Sequence, residues 1–179
     1  MAIEPGKETA LSSPDAAAPV RIPQPDEISE REKEDAMGAY FMMFAGLGLG
    51  APLPLINLIA SVVYWAIHRR KSRFVAFHSL QSLLEQIPVT LCNAALIAWL
   101  LVILFTDLHF PREFFVALVF VVVVNILDIV ISVVALTRAR KGRFFYMPLF
   151  GRLAFGVYYG PRARSLEKPV EPNRPPAGF

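Results

Sequence analysis

An all-α, polytopic transmembrane bundle of four helices is the fold the sequence predicts. Three observations predict it. Hydrophobic residues make up 55 % of the chain and charged residues 18 %, against roughly 45–50 % and about 25 % in soluble domains. Between Met37 and Leu136 there are nine charged side chains, four of them in one knot, Arg69, Arg70, Lys71 and Arg73. The apolar residues between such charges form blocks of membrane-spanning length, and only helices or closed barrels satisfy their own backbone in lipid.

The flanks read differently. Residues 1–35 are acidic and carry five prolines, so the segment is expected to be a disordered tail. They show no basic region followed by an apolar one, so no signal peptide is read there. Residues 36–153 form the helical membrane domain, and residues 154–179, basic and again rich in proline, form a second disordered tail. A charged stretch, residues 29–35, could add one or two helical turns ahead of the first membrane segment.

The first apolar block runs from Ala36 to Ile67. A straight helix of that length would reach about 48 Å, well past a hydrocarbon core of about 30 Å. Its centre holds Gly46, Gly48 and Gly50 and then Pro52 and Pro54, a helix-breaking run. The block is therefore split into two short helices, 37–49 and 54–68, forming a Gly/Pro-broken hairpin; one long bent span is the competing reading. The second block opens with an amphipathic stretch from Ser72 and contains one span, Ile87 to Phe105. The third, Phe114 to Leu136, is the clearest span.

Lys and Arg concentrate on one side of such spans, the cytoplasmic one. The 68–73 loop and the region of Arg138, Arg140, Lys141 and Arg143 are placed there, and the loop from Thr106 to Glu113 outside. Four helices give a multi-pass protein of the cytoplasmic (inner) membrane with both termini inside; three would put the N-terminus outside. Arg69, Arg70, Lys71, Arg73, Arg140, Lys141 and Arg143 are read as membrane-interface residues facing anionic headgroups.

Polar residues inside spans are the candidates for function. His78, Gln81, Ser82 and Glu85 share one stripe of the third helix, and Asn125, Asp128 and Ser132 one stripe of the last. Asn57 and Ser61 lie four apart on the second. Glu85, Asn125, Asp128 and Ser132 are the candidate polar seam. It would conduct an ion or proton, or contact a substrate; the plainer reading is hydrogen bonding between helices. For Asp128 and Glu85 both readings stay open. Cys92, alone, forms no internal disulfide. No catalytic, cofactor or metal motif is present, so no enzyme activity and no cofactor are expected. Basic residues without a folded polar face exclude a nucleic-acid reader.

The string from Ser72 through Phe74, Phe77, His78 and Gln81 to Ser82 resembles the "S-x-F-V-R-x-H-A-x-Q-A" segment of a bacterial membrane-protein family of unknown function. That family is related to the Tic-twenty component of the chloroplast import translocon. The helix from Pro54 that ends in the basic knot fits too, as does the closing run from Ala139 to Leu149, similar to "A-x-K-G-E-Y-Y-R-Y-P". Ala76 stands where the family has arginine, Ser79 and Ser82 where it has alanine, and Arg143 where it has glutamate. The resemblance implies a compact helical bundle over residues 37–153, with Phe74, Phe77, His78 and Gln81 as its motif. Plant members are attributed to protein import and some bacterial relatives to magnetosome membranes. The expected function is a non-enzymatic assembly or scaffold component of a membrane complex, partnered by the bilayer and by itself or other membrane proteins. The alternative is a channel or translocation component using the polar seam. No small-molecule substrate is identified.

Overall fold

The computed structural model describes residues 21–44, 54–106 and 109–160. They form five α-helices and no strand: α1 (Glu30–Phe41), α2 (Pro54–His68), α3 (Arg73–Phe105), α4 (Arg112–Arg140) and α5 (Phe150–Tyr158). A single 3₁₀ turn, Met42–Phe44, follows α1.

The helix count and the first boundary differ from expectation. The first helix starts in the charged stretch and not at residue 37, because Ser29 and Glu32 make a capping box. The Glu32 N–H donates to Ser29 Oγ and the Ser29 N–H to a Glu32 carboxylate oxygen. Reciprocal capping satisfies two orphan donors at once and fixes where a helix begins. The part of the first tail that is described is packed: Ile28 is buried in the same apolar cluster as Ala36, Tyr40, Phe74 and Ala139. The Gly/Pro break assigned to residues 46–53 lies outside the described residues. α2 begins at Pro54, a residue preset for the first helical position.

Beyond α2 the turn Arg69–Ser72 reverses the chain. The amphipathic stretch and the span then fuse into one 33-residue helix, α3, which continues through Pro88. α4 extends the expected span at both ends and carries Arg138 and Arg140 in its last turn, where positive charge suits the helix dipole. It closes in a Schellman motif. The Gly142 N–H donates to Ala139 O and the Arg143 N–H to Arg138 O, with Gly142 at φ 66°. A Cβ on Gly142 would also meet Pro25 O at 3.1 Å. Gly142→Ala is therefore expected to lower stability by about 1–2 kcal/mol, the left-handed penalty of a side chain, readable as a lower denaturation midpoint in detergent.

Sequence reading missed α5. Residues from 154 on are expected as a disordered tail, yet Ala154 and Tyr158 are buried on α5. Leu149 starts this helix from a γ-turn at φ 71°, the Phe150 N–H donating to Pro148 O, a strained conformation for any side chain. Gly151 then lets α5 approach: a Cβ there would stand 2.8 Å from Tyr146 Cα and 3.1 Å from Gln81 Oε1.

The architecture has two parts. The first half of α3 is enclosed, with nearly every residue from Phe74 to Gln86 buried, by α1, α2, α4 and α5. Past Gln86 only Thr90 and Ile103 of α3 are buried. There α3 and α4 continue as an antiparallel hairpin.

Candidate functional site

The hairpin is inside out by the standards of a soluble protein. The buried residues of α4 are Phe114, Val121, Asp128, Ser132, Ala135 and Ala139. Four of them recur every seven residues, a narrow seam of the kind that joins two helices. Asp128 and Ser132 sit in that seam, whereas Val116, Val119, Phe120, Val123, Leu127 and Val130 are exposed. Only 11 % of the most apolar stretch of α3 and 17 % of that of α4 is buried. A core helix of a soluble domain would be mostly buried. Apolar residues outside and polar ones within is the arrangement lipid demands. Both helices are long and apolar enough to cross a membrane.

Inside the seam the polar side chains meet one another. Asn93 and Asn125 form a reciprocal amide pair, each Nδ2 donating to the other's Oδ1 at 3.2 Å. Each amide also donates back to the carbonyl four residues earlier, Val89 and Val121. Two turns nearer the basic end, Ser132 Oγ donates to Glu85 Oε2 at 3.4 Å, with Asp128 buried one turn before Ser132 on α4. Glu85, Asn125, Asp128 and Ser132 thus lie along the α3–α4 contact. Asn93 was not singled out from sequence, although it extends the stripe of Glu85 by eight residues.

His78 and Gln81 face elsewhere. Tyr40, from α1, lies between them: Gln81 Nε2 donates to Tyr40 Oη at 3.1 Å, and Tyr40 Oη lies 2.9 Å from His78 Nδ1. Tyr40 Oη thus bonds both side chains at once, accepting from Gln81 and pairing with the imidazole Nδ1. All three side chains are fully buried. Ser82 Oγ donates to Ala39 O, a second tie from α3 to α1. The expected stripe of four on α3 is accordingly divided between α1 and α4. On α2, Ser61 is buried, and Trp65 Nε1 donates to Tyr158 Oη at 2.9 Å, joining α2 to α5.

Phe74 and Phe77 complete the motif. Phe74 packs edge-on to His78 at 4.6 Å and to Phe144 at 5.2 Å. Phe77 is ringed by His78, Phe144, Tyr146, Phe155 and Tyr159, with centroids 5.0–6.5 Å away. These are the spacings aromatic rings prefer. Every motif residue touches protein, which makes the motif the core of the base.

The basic residues cluster at this end. Arg69 lies over the Trp65 ring at 5.0 Å, and Arg70, Lys71, Lys141 and Arg143 are exposed. Arg140 reaches back to α1, 3.2 Å from Glu30 and 3.6 Å from Glu34; Arg73 is half-buried. The Glu30 carboxyl is held below its usual range by the hydrogen bond and charge of Lys33, with Arg140 adding to this. His68 Nε2, at the end of α2, lies 3.9 Å from Asp35 Oδ2. Among the described residues no group of three or more His, Cys, Asp or Glu side chains could hold a metal ion.

Comparison with known proteins corrects the resemblance drawn from the motif. The family model that matches, over residues 34–154, is that of the magnetosome magnetite crystal formation protein family, and not one related to the Tic-twenty translocon component. The link to protein translocation falls with it. The matched short strings describe an aromatic core, and similar helix packing yields similar strings without a shared role. No curated protein and no solved structure matches the chain. The match takes in the second part of α1, all of α2, α3 and α4, the seam and the buried motif. This membrane-type helical chain belongs to the magnetosome magnetite crystal formation protein family.

Proposed function

We propose that the chain is a non-enzymatic, multi-pass scaffold component of the membrane that bounds a growing magnetite crystal. The observation that carries this reading is the α3–α4 hairpin, apolar outside and polar within, in a chain of that family. α3 and α4 cross the bilayer. α1 and α2, at 12 and 15 residues, reach about 18 and 22 Å, too short for a core of about 30 Å. Both are tied to the basic end, α1 through Glu30 and Arg140 and α2 through His68 and Asp35. The stretch from Met37 to Ile67 has no charged residue. The α1–α2 hairpin therefore enters and leaves on one side, the cytoplasmic one by its Lys and Arg excess, with both termini there.

The polar seam supports assembly over conduction. Its side chains bond to one another across the two helices, contacts worth about 0.6 and up to 2 kcal/mol each in membranes. Glu85, Asn125, Asp128 and Ser132 are assigned this joining role.

Two measurements test the proposal. Reporter fusions after Lys71 and Arg143 are expected to read cytoplasmic and a fusion after Asp107 the opposite side; an Asp107 fusion reading cytoplasmic would overturn the topology. Deleting the gene in a magnetite-forming host is expected to change crystal size or habit while cellular iron uptake stays the same. Unchanged crystals would refute the scaffold role.

A further inference from the structure

The two ends of the molecule differ in girth. At the basic end five helices surround one another; beyond Gln86, among the described residues, only α3 and α4 remain. With each helix about 10 Å across, the cross-section shrinks from five helices to two along the membrane normal. The wide end also meets lipid. On α2 the residues Leu55, Ile59, Val62, Val63 and Ile67 are exposed, as are Leu153 and Val157 on α5 and Leu149 just before it. In water these would be unusually large apolar patches. Arg69, Arg70, Lys71, Lys141, Arg143 and Arg152 border them and are exposed. That pairing of an apolar face with a basic rim is how interfacial helices sit against anionic headgroups. α2 runs back along α3 for about 22 Å, ending short of the far interface of a core of about 30 Å.

We infer that the protein is a wedge whose partner is a curved, anionic lipid surface. α1, α2 and α5 widen the protein chiefly in the leaflet on the basic side. More lipid is displaced from that leaflet than from the opposite one. The fit is best where the basic side is the convex face. The inference rests on the membrane reading above and adds a preference for curvature, through α2 and α5, that the reading does not require.

The full chain, carrying one fluorophore at its N-terminus, is reconstituted into phosphatidylcholine vesicles containing phosphatidylglycerol. The preparation covers diameters from small sonicated vesicles to giant ones. Protein per lipid is read vesicle by vesicle, with protease access to the N-terminus sorting the two orientations. The density of basic-side-out protein is expected to rise severalfold as vesicles shrink, and that of basic-side-in protein to fall. A triple variant with Leu149→Gln, Leu153→Gln and Val157→Gln, all exposed on α5 or at its start, is expected to insert equally well with a shallower rise. Equal density at all diameters overturns the wedge. So does the same rise in both orientations, or two-step bleaching without size dependence, which would mean that a second copy covers α2 and α5. Failure of the protein to insert at all overturns the membrane reading together with the wedge, a result distinct from the others.

Discussion

Phe77→Ala is expected to lower the free energy of unfolding by about 3–5 kcal/mol, the usual cost of emptying a large aromatic site in a core. Phe77 has no solvent exposure, and the rings around it come from separate parts of the chain. His78 is its neighbour on α3, Phe144 and Tyr146 lie in the segment after α4, and Phe155 and Tyr159 belong to the C-terminal region. No single neighbour can collapse into the gap without leaving another contact. The loss would be read as a lower denaturation midpoint in detergent and as early protease cleavage near α5. Phe77→Leu keeps most of the volume and should lose far less. A Phe77→Ala protein as stable as the parent would mean that α5 does not depend on this core.

Tyr40→Phe removes one oxygen and strands two groups. Gln81 Nε2 loses its acceptor and His78 Nδ1 its hydrogen-bond partner, and both side chains are fully buried. An unsatisfied buried polar group costs about 1–3 kcal/mol, so the variant should fall below the parent by roughly twice that amount at most. The sharper expectation concerns the combination. Tyr40→Phe with His78→Leu and Gln81→Leu leaves no stranded group, and should be more stable than Tyr40→Phe alone. Equilibrium unfolding of the two variants in one detergent compares them directly. If the triple variant were the weaker, packing and not hydrogen bonding would join α1 to α3.

The two long apolar helices of this fold were open to a sequence reader, and the reason is physical. Lipid forces unbroken apolar helices, so Ile87 to Phe105 and Phe114 to Leu136 announce themselves by length alone. The seam was half legible for the same reason, since Asn125, Asp128 and Ser132 stand out among Val and Ile. Asn93 was less visible, because its stripe carries it away from the group around His78. The base was harder. Ser29 and Glu32 form a cap signal that lies within an acidic, proline-rich flank, and composition outweighed it. α5 has nine residues, and its buried Gly151, Ala154 and Tyr158 follow a spacing too short to separate from a loop. Tyr40 carried no signal of its own. Its importance comes from α1 lying along α3, a tertiary fact. The motif around Phe77 drew the comparison toward the wrong family, since an aromatic core marks packing more than ancestry.

Residue-by-residue accessibility along α4 tests the central claim most directly. With Cys92 replaced by alanine, single cysteines at Val116, Val119, Val123, Leu127 and Val130, and at Asp128 and Ser132, would carry a nitroxide label in reconstituted vesicles. The outward five are expected to collide readily with oxygen dissolved in lipid and poorly with a water-soluble nickel chelate, while labels at Asp128 and Ser132 collide poorly with both. If the outward positions were instead open to the chelate, α4 would lie in water, and the inside-out hairpin would not be a membrane span.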